Sequence, residues 1–312
     1  MTGLRPVLAA AFGAAGGAAL LRYRRDISHA YARVEALDRL TAVTRFGAME
    51  YLDHGAGEAI LVSHGIFHGC DGGLRSVQDT IGTRRVIAPS RFGYLGSAMP
   101  RDASVADQAD AFVELLDVLG LPTVDAIGIS AGTSAAVQLA LRHPDRLRHL
   151  IISSGSFPGS DTAQAPPEWA KLLYSDPPLW ALKRLARPVF ARMMGVPEGF
   201  PRGVDDARVL TQMLDTIFPV RPRVTGAVFD AYVANPDVND YPLEELRVPT
   251  LIVHAADDPL ASYEAARAAG ERIPDARFVG LDSGGHLQLG QTQRVRTAVA
   301  AFLASGELGD TR

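Results

Sequence analysis

From Ala42 onward the chain alternates two apolar patterns. Short β-rich runs come first, AVTRF and AMEYLD, separated by Gly47. AILVSHG follows and ends at Gly65; a run apolar at nearly every position suits a strand buried on both faces. RRVIAPS at 84–90, TVDAIGIS at 123–130 and LRHLIISSG at 147–155 repeat that form. Between them the spacing becomes helical. DASVADQADAFVELLDVLG, 102–120, places Ala109, Phe112, Val113 and Leu116 on one face, with a Ser/Asp start and Gly120 as a stop. AGTSAAVQLALRHP predicts a helix that ends before Pro144. Buried strands alternating with helices predict an α/β fold with a mostly parallel central sheet flanked by helices.

The rhythm breaks at about Phe157. From there to about Asn239 the chain shows only helical pieces separated by prolines: PPLWALKRLARPVFARMMG, DDARVLTQMLDTIF and RPRVTGAVFDAYVAN. It resumes with VPTLIVHAADDP, the helix SYEAARAAGERIP, the strand ARFVGLDSGGH and a last helix, QTQRVRTAVAAFLAS. The division predicted is an apolar leader and linker helix at 1–41, a first core part at 42–156, a helical insertion at 157–240, a second core part at 241–304 and a tail at 305–312. An insertion placed after a strand sits over the C-terminal strand ends, where sites form in α/β sheets.

The N-terminus departs from both patterns. PVLAAAFGAAGGAALL, Pro6–Leu21, is uncharged and bounded by Arg5 and by RYRR at 22–25. It is shorter than the roughly 20 residues that span a bilayer. It fits a poorly packed leader, a weak membrane anchor or a cleaved signal, and the arginines after it favour a cytoplasmic location for the rest of the chain. Asp26–Leu40 reads as an amphipathic helix with Ile27, Tyr31, Val34 and Leu37 on one stripe.

Composition narrows the function classes. With 47% hydrophobic and 21% charged residues, the 312-residue chain can bury an ordinary globular core. A formal charge of −4 gives no reason to expect nucleic acid. One cysteine, Cys70, excludes an internal disulfide framework and a Cys-rich zinc site, and is compatible with a reducing compartment. Nothing in the sequence speaks to an oligomeric state.

The chemistry centres on Gly128-Ile129-Ser130-Ala131-Gly132, set between a predicted strand and a predicted helix. A turn that sharp requires glycine two residues either side of the serine, and it projects the Ser130 hydroxyl at the mouth of the sheet above a helix N-terminus. A serine hydroxyl needs a base, and in this architecture an acid and then a histidine follow it in the chain. Of the later histidines, His143 and His149 sit at element ends as surface or packing residues. His286, in the Gly-rich loop LDSGGHLQLG after a strand, is the candidate base. The acid should end the preceding strand, where TLIVHAADDPL offers Asp257 and Asp258; spacing alone does not choose between them. An oxyanion hole needs two backbone amides. Ala131 is one candidate, and the loop SHGIFHGCDGG supplies Ile66, with Phe67 behind it. A competing reading of that loop is a metal site from His64, His68, Cys70 and Asp71, but no second ligand cluster supports it.

With HG after the third strand, SRFGYLGS at 90–97, GISAG, HAADDPL and GGH in this order, the chain resembles the α/β-hydrolase superfamily over residues 43–304. Residues 157–239 stand in the place of its helical cap. The resemblance implies Ser130 as nucleophile, His286 as general base and Asp258 as the acid, three residues after Ala255, where the family commonly has glycine. It implies no cofactor and no metal, and it sets Arg91 in a loop that often lines the pocket, where a structural role is preferred to a substrate-binding one. Serine at the elbow sets the chain apart from the dehalogenases and epoxide hydrolases of this superfamily, which use aspartate. The reaction implied is hydrolysis of an acyl substrate, foremost a small to medium carboxylic ester, through an acyl-enzyme. C–C bond hydrolysis of ring-cleavage products is the runner-up, and a non-catalytic ligand-binding protein on the same fold is the alternative from another class. Trp180, Phe190, Met193, Met194 and Phe218 fit either an apolar acyl pocket or the insertion's own packing core.

Overall fold

The computed structural model describes residues 4–305, with side chains from residue 16 onward. The first three residues and the expected tail from 306 onward lie outside the described residues. Eight strands form one sheet: β1 (Leu40–Thr44), β2 (Gly47–His54), β3 (Ala59–Ser63), β4 (Arg85–Pro89), β5 (Val124–Ile129), β6 (Leu147–Ser153), β7 (Thr250–Ala255) and β8 (Ala276–Leu281). The helices are α1 (Leu4–Glu35), α2 (Cys70–Val77), α3 (Val105–Val118), α4 (Thr133–Arg142), α5 (Asp176–Leu185), α6 (Arg187–Met193), α7 (Val204–Thr216), α8 (Val224–Phe229), α9 (Asn235–Asp237), α10 (Tyr263–Arg272) and α11 (Thr292–Ser305).

The strand order is β1-β2-β4-β3-β5-β6-β7-β8. β2 pairs antiparallel with β1 and β4, and every other pairing is parallel. The continuous apolar runs have a direct cause. Ile60 and Val62 of β3 face α2 and α11, whereas Leu61 between them faces α3 and α4. Both faces are covered, so every position is apolar, and a fully buried Leu or Ile contributes about 1.5–3 kcal/mol.

Between β6 and β7 the chain forms α5–α9 and no strand. Leu179, Phe190, Leu210, Leu214 and Phe218 bury one another there and continue onto Phe67 and Tyr94 of the core loops. Trp180, Met193 and Met194 pack against the same cluster. The stretch expected as one helical piece at 177–195 is two helices, because Pro188 stands in the first turn of α6 and cannot continue α5.

The N-terminus corrects the expected division into leader and linker helix. Residues Leu4–Glu35 form one helix, through Gly16 and Gly17, as alanine-rich sequence favours. It stops before the expected Leu40 because Arg39 pairs with Glu50 of β2 at 2.5 Å and draws the chain into the sheet, where Leu40 opposes Tyr51. Leu37 therefore packs with the core under α2 and α11, while Ile27 and Ala30 pack on the insertion. Tyr23 meets Trp180 edge-on at 5.4 Å, and Asp26 accepts hydrogen bonds from Trp180 Nε1 (3.0 Å) and Arg184 Nη2 (2.9 Å). Among the described residues no helix is long and apolar enough to cross a membrane.

Candidate active site

β5 ends at Ile129, a single 3₁₀ turn spans Ser130–Gly132, and α4 begins at Thr133. Ser130 takes φ 51°, a left-handed conformation that costs a non-glycine residue about 1–3 kcal/mol. The flanking glycines are required by their neighbours more than by each other, although a Cβ on Gly128 would also lie 3.2 Å from the Gly132 carbonyl oxygen. A Cβ on Gly132 would lie 2.1 Å from the carbonyl oxygen of Ser63, and one on Gly128 would lie 3.0 Å from Thr133 Cα and 2.8 Å from Ala136 Cβ. The elbow is thus pressed against the end of β3 on one side and α4 on the other.

Three side chains from three strand ends form one hydrogen-bonded line. His286 Nε2 lies 2.7 Å from Ser130 Oγ, and His286 Nδ1 lies 2.8 Å from Asp258 Oδ2. Asp258 also accepts from the amides of Leu260 (2.8 Å) and Ala261 (3.1 Å), and His254 Nε2 approaches it at 3.3 Å. Burial raises the Asp258 pKa, but His286, His254 and the Leu260 amide outweigh it and hold the carboxyl well below the usual carboxylate range. An ionised carboxylate only accepts, so His286 Nδ1 carries the proton and Nε2 is left to accept from the Ser130 hydroxyl.

The neighbouring Asp257 has a different task. Its carboxylate accepts from the amides of Gly285 (2.8 Å) and Gly284 (3.2 Å), fastening the backbone that carries His286. The insertion grips the same loop from above. The His286 amide donates to the carbonyl of Gly195 at 2.9 Å, and Gly195 has φ +82°. A Cβ there would lie 2.2 Å from His286 Cβ, so only glycine lets the two segments meet.

The remaining predicted residues lie close by. A Cβ on Gly65 would lie 3.4 Å from Ser130 Cβ, which sets the Gly65–Ile66 peptide alongside the elbow. Ala131 follows the serine and is buried, and the backbone of Phe67 hydrogen-bonds the Tyr94 hydroxyl. The four residues weighed as metal ligands have separate partners. His64 Nδ1 donates to the Gly65 carbonyl (2.8 Å) and its Nε2 accepts from the Arg91 amide (3.0 Å). Cys70 is pushed up to about 12 by burial, and Asp71 is paired with Arg223 at 2.8 Å. Burial above all pushes His68 down to about 4, and it bonds the Met213 backbone of α7. Among the described residues no three His, Cys, Asp or Glu side chains are grouped to hold a metal ion.

Arg91 is buried, pairs with Asp230 of the insertion and donates Nε–H to the His64 carbonyl at 3.0 Å. Tyr94 donates to the same Asp230 at 2.5 Å. Burial opposes the Arg91 charge, but Asp230 and Tyr94 more than offset it and keep the guanidinium charged. A cavity of about 100 Å³ lies below the His286 loop, bordered by Ile129, Ile151, Val253, Met213 and Arg75, with Arg75 held by Asp79 at 2.9 Å. Ser130 is not among its walls.

Sequence reasoning does not find Gly195, Asp230 or the bracing task of Asp257. Only Asp257 leaves a trace, as the second carboxylate ahead of a Gly-Gly-His loop.

A family model described as alpha/beta hydrolase fold matches residues 54–291. The 2-hydroxymuconate semialdehyde hydrolase of Pseudomonas putida is 30% identical over 248 residues, covering 76% of this chain and 81% of that protein. The putative carbamate hydrolase RutD of Caulobacter sp. (strain K31) is 31% identical over 220 residues, covering 65% of this chain and 74% of that protein. Among solved structures, an alpha/beta hydrolase fold protein from Nakamurella multipartita superposes with a TM-score of 0.73 at 24% identity, covering 86% of this chain and all (100%) of that one. The enol-lactonase from Burkholderia xenovorans LB400 gives 0.66 at 19% identity, covering 85% and 100%. The eight-stranded sheet, the serine elbow and this match over most of the chain agree: it belongs to the alpha/beta hydrolase fold family.

Proposed function

We propose that this hydrolase cleaves a small to medium carboxylic ester through Ser130, His286 and Asp258. The observation that carries the reading is the continuous line Asp258–His286–Ser130, with contacts of 2.8 and 2.7 Å. Ser130 Oγ attacks the acyl carbon while its proton passes to His286 Nε2. The amides of Ala131 and Ile66 stabilise the alkoxide, and the imidazolium, held by Asp258, returns the proton to the leaving alcohol. Water then hydrolyses the acyl-enzyme by the same steps.

The relative that acts on 2-hydroxymuconate semialdehyde favours C–C bond hydrolysis as a second reading. Such a substrate carries a carboxylate, and a buried carboxylate calls for a cation. The buried arginines among the described residues, Arg91 and Arg223, are each already paired with an aspartate, Asp230 and Asp71. That engagement supports a neutral acyl substrate over an anionic dienoate.

The test is turnover of p-nitrophenyl esters of graded acyl length beside a ring-cleavage dienoate, with fluorophosphonate labelling of wild type and Ser130→Ala. Ester turnover and labelling at Ser130 are expected, and the alanine variant should lose at least about 10⁴-fold in kcat. Dienoate cleavage without ester turnover establishes the second reading. A folded protein that labels no better than Ser130→Ala rules out serine catalysis.

A further inference from the structure

We infer that α1 is a peripheral docking element for an anionic lipid bilayer, lying in the interface rather than crossing it, and that the helical insertion is carried against the membrane with it. Helix α1 has two halves of unlike behaviour. From Tyr23 onward it is fastened to the insertion: Tyr23 on Trp180, Asp26 on Arg184, and Arg33 donating to the carbonyls of Asp215 and Phe218, each at 2.6 Å. Just before Tyr23, over residues 16–22, it stands clear of the body. Residues 16–22 are all exposed, and a Cβ at Gly16 or Gly17 would find no atom within 4 Å. A helix from Leu4 to Arg22 extends roughly 28 Å at 1.5 Å per residue. Its sequence from Pro6 to Leu21 is uncharged and mostly apolar, and Leu20 and Leu21 stand 49% and 69% exposed.

An apolar segment held in water is unfavourable unless something covers it, and the surrounding charge says what. Arg22, Arg24 and Arg25 follow the leucines directly and are exposed. The groove where α1 meets the insertion is lined by Arg33, Lys183, Arg184 and Arg187 against Asp26 and Asp215, which pair with Arg184 and Lys183, so cations remain in excess there, and Leu185, the residue after Arg184, is 85% exposed. Adjacent apolar and cationic surface matches acyl chains beneath anionic headgroups, and the 16-residue run is too short to span a bilayer. Nucleic acid would use the arginines but leave the leucines in water.

Flotation of the full chain with vesicles tests this. Binding is expected to phosphatidylcholine vesicles containing phosphatidylglycerol and to be far weaker to phosphatidylcholine alone. Arg22→Gln/Arg24→Gln/Arg25→Gln should lower partitioning on the order of a hundredfold, and high salt should reproduce that loss. Leu20→Asn/Leu21→Asn should lower it about tenfold or more, with little response to salt. Both variants should keep wild-type ester turnover and melting temperature, because these side chains project from the body of the protein. The inference fails if the wild-type chain ignores anionic vesicles, binds neutral ones equally, or binds unchanged in both variants. It also fails if the wild type self-associates without lipid and Leu20→Asn/Leu21→Asn abolishes that, since a second copy is then the partner.

Discussion

Two walls meet at Ser130, and they are built on different principles. The core wall is local. Ser130, Asp258 and His286 each stand just past the end of a parallel strand, and Asp258 is fixed by the amides of Leu260 and Ala261, two and three residues on. The insertion wall is held by long-range contacts. Gly195 accepts from His286, Asp230 pairs with Arg91, and Arg223 pairs with Asp71. Buried ion pairs of this kind add little net stability against apolar replacements, but losing one partner costs about 3–5 kcal/mol. They therefore act chiefly as register pins. A wall set by strand ends can be read from spacing along the chain, whereas one set by pins more than a hundred residues apart cannot.

The sharpest contrast places two adjacent carboxylates on the same loop. Asp258→Asn should lower kcat by about 10⁴, because an amide facing Nδ1 favours the wrong tautomer. Asp257→Asn removes a backbone brace and should cost only about tenfold, matching the loss of hydrogen bonds worth about 1 kcal/mol each. Steady-state kinetics on the pair checks this, and the reverse ranking would exchange their roles. Between those extremes lies the insertion's own contribution. Gly195→Ala should lower kcat by about a hundredfold with KM little changed, because a displacement near 1 Å misaligns the base without removing it. If kcat is unaffected, the insertion does not position His286.

The last effect is on stability rather than turnover and concerns His68, where a core loop meets α7. In the folded chain its imidazole titrates near 4 rather than 6.5, so the unfolded chain binds more protons between these values. Stability therefore rises with pH across that window and falls as pH drops through it, by about 1.4 kcal/mol per pH unit from this group. Urea titrations of wild type and His68→Gln at several pH values should show that slope flattened in the variant.

Much of the core was legible because burial on both faces writes each strand as an unbroken apolar run, and because GISAG and GGH sit at strand ends. Helix α2 was not: CDGG, its first turn, reads as the end of a loop, yet its glycines serve close packing, with the His68 ring 2.5 Å from where a Gly72 Cβ would lie. The N-terminal helix reads as two pieces because its uncharged run ends at Leu21 and the amphipathic stripe starts only after RYRR, but a change of surface chemistry does not end a helix, and alanine-rich sequence carries it from Leu4 to Glu35. The aromatic and methionine residues of the insertion gave two readings, and those buried there pack mainly on one another. Gly195 and Asp230 left no sequence signal because their partners, His286 and Arg91, are distant in the chain.

The carbonyl of Gly195 has a consequence for engineering. Exchanging the segment between β6 and β7 for that of a relative is an obvious route to new substrates, since the strands and their catalytic loops would stay in place. Here that exchange would also remove the hydrogen-bond acceptor of the histidine's own amide. A chimera must therefore reinstate a glycine at this point of approach. Otherwise a transplant intended to change selectivity will be measured as a loss of turnover.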